Sequence, residues 1–233
     1  MTTEQTVLAI DTSHHVAVGL ARGPQVLASR VVTDSRAHVE QLTPSVRSVL
    51  DEAGLGLSEV DLVVIGMGPG PFTGLRVGIV TGWTLASTAG IARHEICSLD
   101  VVAAQWGDTE CGEGRAEEYV VCSDARRKEL YWAQYRGAER IVGPQVSLPS
   151  ELPDLPTVGP GVEHYADELG DRVVDGPRHL DPAVMAVVGP QLAAAGSEPL
   201  YLRRPDAAEP KGRKSALPTG PRLLRGLSPR APQ

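Results

Sequence analysis

A strand that is apolar on both faces, followed at once by a glycine-rich block, constrains the fold of this chain more than any other feature. The run "DLVVIG" ends at Gly66 and holds four consecutive large apolar residues. Such strands occur in parallel sheets whose two faces are both covered by helices. The block "GMGPGPFTGLRVG" starts at the same glycine, and a helix is predicted from about Pro71 to Ala89. The chain should therefore contain an α/β layer with "DLVVIG" in its sheet.

Three short β-rich runs precede this strand and indicate an antiparallel meander. They read "TVLAIDTS", "VAVGLA" and "VLASRVV", with the turn "RGPQ" between the last two. A helix should follow, because apolar residues recur there every three or four positions, namely Val39, Leu42, Val46 and Val49. Pro44 lies inside this pattern, so the helix either bends there or begins there. With "ARHEICSL" as a strand and "DVVAAQW" as a helix, the order becomes β-β-β-α-β-α-β-α.

The same order begins again after a polar, glycine-rich linker at residues 107–116. Three further β-rich runs read "EYVVCSD", "ELYWAQYRG" and "RIVGPQVSL", and "DPAVMAVVGPQLAAAG" should close this second half as a helix. We therefore predict a duplicated α/β architecture whose second half is abbreviated. The predicted units are residues 1–106, residues 107–204 and a basic tail at residues 205–233. The tail has six basic and no acidic residues from Pro210 onward, so disorder is expected there. We expect it to contribute at most a salt-sensitive contact with RNA.

Composition excludes several classes of protein. The net charge of −7 argues against a surface that is basic overall and built for nucleic acid. The three cysteines form no CxxC pair, so reduced thiols are expected rather than a disulfide framework. We find neither a signal-peptide pattern nor an apolar run long enough to span a membrane, and we expect a cytoplasmic protein.

The glycine-rich block does not match a phosphate-binding loop. It contains no lysine, so the GxxxxGK motif is absent, and the GxGxxG spacing fails at Pro71 and Thr73. In the helix that follows, small residues recur every four positions and form a ridge along one side, namely Gly74, Gly78, Gly82 and Ala86. Each interior glycine costs about 1 kcal/mol relative to alanine, so close packing against another backbone is expected. That packing lies either within the same domain or against another subunit.

Several segments of the chain resemble the TsaB (YeaZ) family. They read "LAIDTS", "HVEQLTPSVRSVLDEAGL", "GMGPGPFTGLRVGI" and "SDARRKELYWAQY", and "PLYLRRP" fits the usual close of the family. The resemblance runs in order from about Val7 to Pro205. It implies the actin-like/Hsp70/sugar-kinase (ASKHA) fold, which has two ribonuclease-H-like halves. This agrees with the duplicated order of elements.

The resemblance also implies a function in tRNA modification. The family takes part in making N6-threonylcarbamoyladenosine next to the anticodon of tRNAs that read codons beginning with A. Its members are implied to be scaffold subunits without catalytic residues, paired with a catalytic paralog, TsaD. The paralog holds the metal and transfers the threonylcarbamoyl group, and a small ATPase, TsaE, joins the assembly. The resemblance thus implies ATP and a metal for the partners and no cofactor for this chain alone. Contact with tRNA is expected through the complex, and a homodimer when the chain is alone.

The residues of this chain that could carry chemistry are incomplete. Its six histidines contain no pair with the HxxxH spacing of the catalytic paralog. Adjacent His14 and His15 on a strand would point to opposite faces, so no metal site is predicted. Nucleotide-binding relatives of the fold carry D-x-G-[T/S] after the first strand, whereas this chain has Asp11, Thr12 and Ser13. Asp11 and Ser13 are candidates for a degenerate nucleotide cleft. Alternatively, the carboxylate only hydrogen-bonds its own turn.

The partner interface is expected on the two helices of the N-terminal unit. The resemblance implies that the corresponding helices of both subunits form a shared bundle. The candidate interface residues are Val39, Leu42, Val46, Val49, Gly74, Gly78 and Gly82. The glycine ridge either faces the partner or seats the first helix. A stand-alone nucleotide-using enzyme of the same fold is the alternative function, and a protease lacks support because HExxH and GxSxG are absent.

Overall fold

A computed structural model describes residues 4–33, 38–108 and 117–203 of the chain. Its strands are β1 Thr6–Asp11, β2 Val16–Arg22, β3 Gln25–Val32, β4 Leu62–Gly66, β5 Ala92–Ile96, β6 Glu118–Asp124, β7 Leu130–Arg136, β8 Glu139–Ser147 and β9 Thr157–Val158. Its helices are α1 His38–Ala53, α2 Phe72–Ala89, α3 Ser98–Asp108, α4 Ala166–Leu169 and α5 Pro182–Val188.

Two sheets of related topology form the framework. The first has the order β3-β2-β1-β4-β5, in which β1 pairs antiparallel with β2 and parallel with β4. The second has the order β8-β7-β6-β9 and repeats this pattern, a meander with a parallel strand added beside its first strand. This is the duplicated, ribonuclease-H-like arrangement of the ASKHA fold, as predicted, with a shorter second half.

The first sheet is covered on both faces, which explains its uninterrupted apolar strands. All five residues of β4 are buried, as the run "DLVVIG" predicted. Helices α1 and α2 cover one face, where Leu42, Val46 and Val49 pack with Leu8 and Ile10. Helix α1 begins at His38 and continues through Pro44, so the alternative of a start at the proline is wrong. The other face forms a shared core with α3, α5 and the second sheet.

Helix α5 does not complete the second half as we expected. Its contacts are with β1, β2 and β3 of the first sheet. Gly19 in β2 makes this possible, because a Cβ atom there would collide with the carbonyl group of Pro182. The helix ends at Val188, and a short turn that contains Pro190 follows it. At α5 the chain therefore returns to the N-terminal sheet.

None of the helices in the described part of the chain combines the length and the apolar character that crossing a bilayer requires. Of the linker predicted at residues 107–116, Gly107 and Asp108 belong to α3, which corrects its start, and residues 109–116 lie outside the described residues. The basic tail and Cys111 also lie outside them, while Cys97 and Cys122 are free and buried.

Candidate functional site

The glycine-rich loop after β4 packs against its own chain. Gly68 has a left-handed backbone (φ 94°), and its N–H donates to Ser98 Oγ at 3.1 Å. Its carbonyl accepts from the backbone N–H of Ser98 at 2.8 Å. A Cβ atom at Gly70 would lie 2.6 Å from the carbonyl oxygen of Ser13. The loop thus fits tightly between the end of β1 and the start of α3, and its glycines serve that close approach.

Asp11 lies at the end of β1, only 1% exposed, with both carboxylate oxygens in hydrogen bonds. Oδ1 accepts from the Ser13 N–H at 2.8 Å and from the Ser13 hydroxyl at 2.6 Å. Oδ2 accepts from the Ser98 hydroxyl at 2.5 Å. Gly66 is required beside it, because a Cβ atom there would collide with Oδ2. The carboxylate therefore joins β1, its own turn and α3.

The glycine ridge of α2 faces the first sheet. A Cβ atom at Gly78 would collide with the Thr12 side chain, and one at Gly82 would lie 2.8 Å from Ile65. One at Gly74 would lie 3.0 Å from the carbonyl oxygen of Thr12. Of the arrangements the sequence left open, packing within the domain is therefore correct. The expectation that the ridge faces a partner or seats α1 is wrong for Gly78 and Gly82, because the sheet already fills that space.

Helices α1 and α2 lie side by side, as expected, but most of the candidate interface residues are inside the protein. Leu42, Val46 and Val49 are buried in the core below α1. They cannot form a contact surface without being pulled out of it. Val39 is 71% exposed, and Val80, which the sequence reasoning did not select, is 56% exposed on α2. On α1 and α2, the exposed large apolar side chains among the described residues are therefore Val39 and Val80.

The second glycine-rich segment, "VGPGVEH", is also committed to internal packing. The N–H of Gly159 donates to the Pro177 carbonyl at 2.9 Å, and the N–H of Gly161 donates to the Cys122 carbonyl at 3.0 Å. A Cβ atom at Gly159 would collide with Cys122. Phosphate loops bind through free backbone N–H groups, and these two are already used. The segment connects the second sheet to its own core.

A tight basic turn follows β6. Arg126, Arg127 and Lys128 all have positive φ angles, between 55° and 65°, and all three are exposed. Asp124 holds the turn by accepting from the Arg126 N–H at 2.8 Å and from the Tyr165 hydroxyl at 3.0 Å. Burial, and then the hydrogen bond to Asp124, raise the pKa of Tyr165 to about 12. A left-handed backbone at three consecutive non-glycine residues is costly and persists only where the surroundings enforce it.

A cleft of about 640 Å³ lies between the two sheets' loop ends. The first half contributes the turn after β1 and the exposed start of α1, including Ser13 and Val39. The second half contributes Asp124, Arg126 and Glu163. Of the nucleotide-cleft candidates, Ser13 lines this space, whereas the Asp11 carboxylate is turned into the protein. The carboxylate hydrogen-bonds its own turn, as in the alternative interpretation, and in addition it accepts a hydrogen bond from Ser98 of α3.

Three histidines meet in this cleft, which sequence reasoning missed. His14 and His15 do not lie on a strand but in the bend between β1 and β2, so the argument that they face opposite ways is wrong. Their ring centroids are 4.1 Å apart, and His179 lies 5.3 Å from His15 and 6.2 Å from His14. His179 precedes α5, and its approach depends on the return of α5 to the first sheet. Local spacing could not reveal that return.

Comparison with known proteins gives consistent matches. The family model described as TsaD, tRNA N6-adenosine threonylcarbamoyltransferase, matches residues 25–197. An uncharacterised protein of Mycobacterium tuberculosis is 40% identical over 207 residues, which cover 87% of this chain and 93% of that protein. The tRNA threonylcarbamoyladenosine biosynthesis protein TsaB of Haemophilus influenzae is 35% identical over 132 residues, about half of each chain.

A solved structure agrees with these sequence matches. YeaZ from Pseudomonas aeruginosa superposes with a TM-score of 0.67 at 30% identity, over 85% of this chain and 100% of that one. The family-model match extends over most of the chain, and the match to YeaZ covers the whole of that protein. We conclude that this chain belongs to the TsaB/YeaZ family.

Proposed function

We propose that this protein is a non-catalytic subunit of the assembly that makes N6-threonylcarbamoyladenosine in tRNA. Relatives named as threonylcarbamoyladenosine biosynthesis proteins support the pathway. The observation that carries the non-catalytic role is the state of Asp11. Its two carboxylate oxygens are taken by Ser13 and Ser98, and in the second half the N–H groups of Gly159 and Gly161 are taken by carbonyls. The two places where the fold would hold a nucleotide are thus used for packing.

The partner in this proposal is a TsaD-type catalytic paralog, bound through the outer face of α1 and α2. A family model for TsaD matches this chain, which supports two subunits of related fold. Val80 offers apolar surface on the outer side of α2, and Val39 is exposed at the start of α1, beside the cleft; burying one valine side chain contributes about 1.5–3 kcal/mol. In this proposal the paralog supplies the metal and the catalytic residues, and a TsaE-type ATPase uses the ATP.

Further features of the assembly belong to the same proposal. The modified adenosine lies next to the anticodon of tRNAs that read codons beginning with A, and the tRNA reaches this chain through the complex. The same helix face would pair two copies of the chain in a homodimer when the paralog is absent. The cytoplasm is the proposed location, because that is where tRNA is modified.

Pairing is tested by introducing a charge at Val80, an exposed residue near the middle of α2. Val80→Glu should weaken binding of the purified TsaD-type paralog by at least about 10-fold, because an unpaired carboxylate would be buried. Val26→Glu is the matched control, since Val26 is 43% exposed on β3 at the edge of the sheet. Isothermal titration calorimetry with the paralog from the same organism gives the affinities. Equal affinities for wild type, Val80→Glu and Val26→Glu would reject this interface.

The pathway itself is tested by mass spectrometry of tRNA nucleosides after depletion of the protein. N6-threonylcarbamoyladenosine should fall, and re-expression of the wild-type chain should restore it. The alternative, a stand-alone nucleotide-using enzyme of the ASKHA fold, rests on the cleft of about 640 Å³ between the two halves. That alternative predicts ATP hydrolysis by the purified chain and an unchanged tRNA nucleoside profile.

A further inference from the structure

The three histidines of the cleft form a group with the geometry of a metal site. One nitrogen from each of His14, His15 and His179 can be chosen so that all three lie within 4.8 Å of one another. Within residues 4–33, 38–108 and 117–203, no other group of three His, Cys, Asp or Glu side chains is this close. In a tetrahedral zinc site with Zn–N bonds of about 2.0–2.1 Å, ligand nitrogens lie about 3.3–3.4 Å apart. Binding would therefore require side-chain rotations that bring the nitrogens closer together, and all three side chains are at least partly exposed.

The backbone that carries His14 and His15 is held firmly on its N-terminal side. Thr12, 1% exposed, donates its hydroxyl to the Gly74 carbonyl at 2.7 Å and accepts from the Gly78 N–H at 3.0 Å. Val16, directly after the pair, is the first residue of β2 and is fully buried. The two imidazoles therefore project from a short bend with fixed ends. Such pre-positioning reduces the conformational entropy lost when a ligand binds.

The backbone that carries His179 is held by a different element. Gln105 of α3 donates its side-chain N–H to the His179 carbonyl at 2.9 Å and accepts from the Asp181 N–H at 3.0 Å. Asp181 in turn caps α5 through the Ala183 N–H at 2.8 Å. Leu180, between them, is buried. Two rigid anchors thus place three imidazoles from distant parts of the chain around one point.

The surroundings of the group suit a divalent transition metal. Imidazole nitrogen is the ligand type preferred by zinc, nickel and copper, whereas magnesium and calcium prefer oxygen. The cleft leaves space beside the imidazoles for water, and it also contains the carboxylates of Asp124 and Glu163. Three protein ligands with an open fourth position are a recognised zinc arrangement. We propose that His14, His15 and His179 bind one Zn²⁺ ion, which would link the β1–β2 bend to the start of α5.

Zinc titration of the full chain, produced without a histidine tag, tests the site. Binding measured by competition with a chromogenic chelator should give one ion per chain, and Co²⁺ should give the visible absorption of a tetrahedral complex. The site exists only in the folded chain, because it joins two segments that are distant in the sequence. Zn²⁺ should therefore raise the melting temperature, and EDTA should reverse this increase. Two or more weak sites per chain, or no stabilisation on saturation, would overturn the proposal.

Single substitutions identify the ligands. His179→Asn and His14→Asn should each lower zinc affinity by at least about 10-fold, with circular dichroism and metal-free melting temperature unchanged. His164→Asn is the matched control, because His164 lines the same cleft but is not in the three-histidine group. It should bind zinc as wild type does. If His164→Asn lost as much zinc affinity as the test variants, the three histidines would not form the site. The same conclusion would follow if neither His14→Asn nor His179→Asn lost zinc affinity.

Discussion

At the scale of single residues, Ser13 stands where the D-x-G-[T/S] pattern has its glycine, and Thr12 and Asp11 fix the turn after β1. Nucleotide-binding relatives of the fold carry a flexible D-x-G-[T/S] sequence at this place. Here the Thr12 hydroxyl joins the turn to α2 through Gly74 and Gly78. The Asp11 carboxylate joins the same turn to α3 through Ser98. A turn with these contacts is rigid, and its polar groups already have partners.

The buried thiols allow a test at the same scale. Burial, and then the negative charge of Asp100, raise the pKa of Cys97 to about 12, and burial raises the pKa of Cys122 to about 12. Since only thiolates react quickly, neither should be modified by Ellman's reagent in the folded protein at pH 8. The experiment uses a Cys111→Ser chain, in which two thiols should react only after denaturation. Rapid modification without denaturant would contradict the burial of these side chains.

The same pKa values give the pH dependence of stability. A thiol in the unfolded chain has a pKa of about 8.5. In the folded chain the pKa of Cys97 and of Cys122 is raised to about 12, so both stay protonated up to that pH. Their contribution to the free energy of unfolding is therefore complete below about pH 8.5 and is lost as the pH rises towards 12. Urea unfolding gives the free energy of unfolding at pH 7.5 and at pH 10. Its decrease between these two pH values should be smaller for Cys122→Ala than for wild type.

At the scale of elements, Gly78 is where α2 lies closest to the turn after β1. Gly78→Ala should lower the free energy of unfolding by about 1–3 kcal/mol, because the added methyl group would overlap the Thr12 side chain. Gly107→Ala in α3 is the matched control, since no atom lies within 4 Å of its added carbon. The control should be neutral or stabilising by up to about 1 kcal/mol. Equal urea midpoints for the two variants would contradict the close contact of α2 with the turn after β1.

Helix α2 also shows what could be predicted locally. Its predicted span from about Pro71 to Ala89 agrees with the observed Phe72–Ala89, because Gly90 ends it in a left-handed conformation at φ 68°. Four-residue spacing indicated correctly that the small residues share one side. It could not show which surface covers that side, since the answer lies in tertiary contacts with Ile65 of the preceding strand and with Thr12, which is distant in the sequence.

Helix α5 and the histidine cluster show what could not be predicted. The apolar pattern from Asp181 onward extends past the observed end of the helix, and Pro190 shortly after that end favours its termination. The docking of α5 on Gly19 depends on a long-range match of shapes that no local pattern contains. His179 reaches His14 and His15 only because of that docking. The candidate metal site is therefore a consequence of tertiary structure.

At the scale of the whole molecule, the chain segment after α5 connects both halves. Ala194 forms a β-bridge with Ile96, and the Leu200 N–H donates to the Met67 carbonyl at 2.9 Å. Arg203 then crosses to the basic turn of the second half, where it donates to the Ala125 carbonyl at 3.1 Å and pairs with Glu129. The described part of the motif "PLYLRRP", up to Arg203, therefore contributes to the fold, and Arg203 holds the turn that faces the cleft.

Two truncations separate this connecting segment from the basic tail. Ending the chain after Leu192 removes the bridge, the Leu200 hydrogen bond and the Arg203 ion pair, and it should cost about 2–4 kcal/mol. For a chain of this size that corresponds to a drop in melting temperature of roughly 5–15 °C. Ending it after Arg204 keeps all of these contacts and should leave the melting temperature unchanged. A large drop in the longer of the two truncated chains would show that the basic tail packs on the fold, whereas equal melting of both would show that the connecting segment contributes no stability.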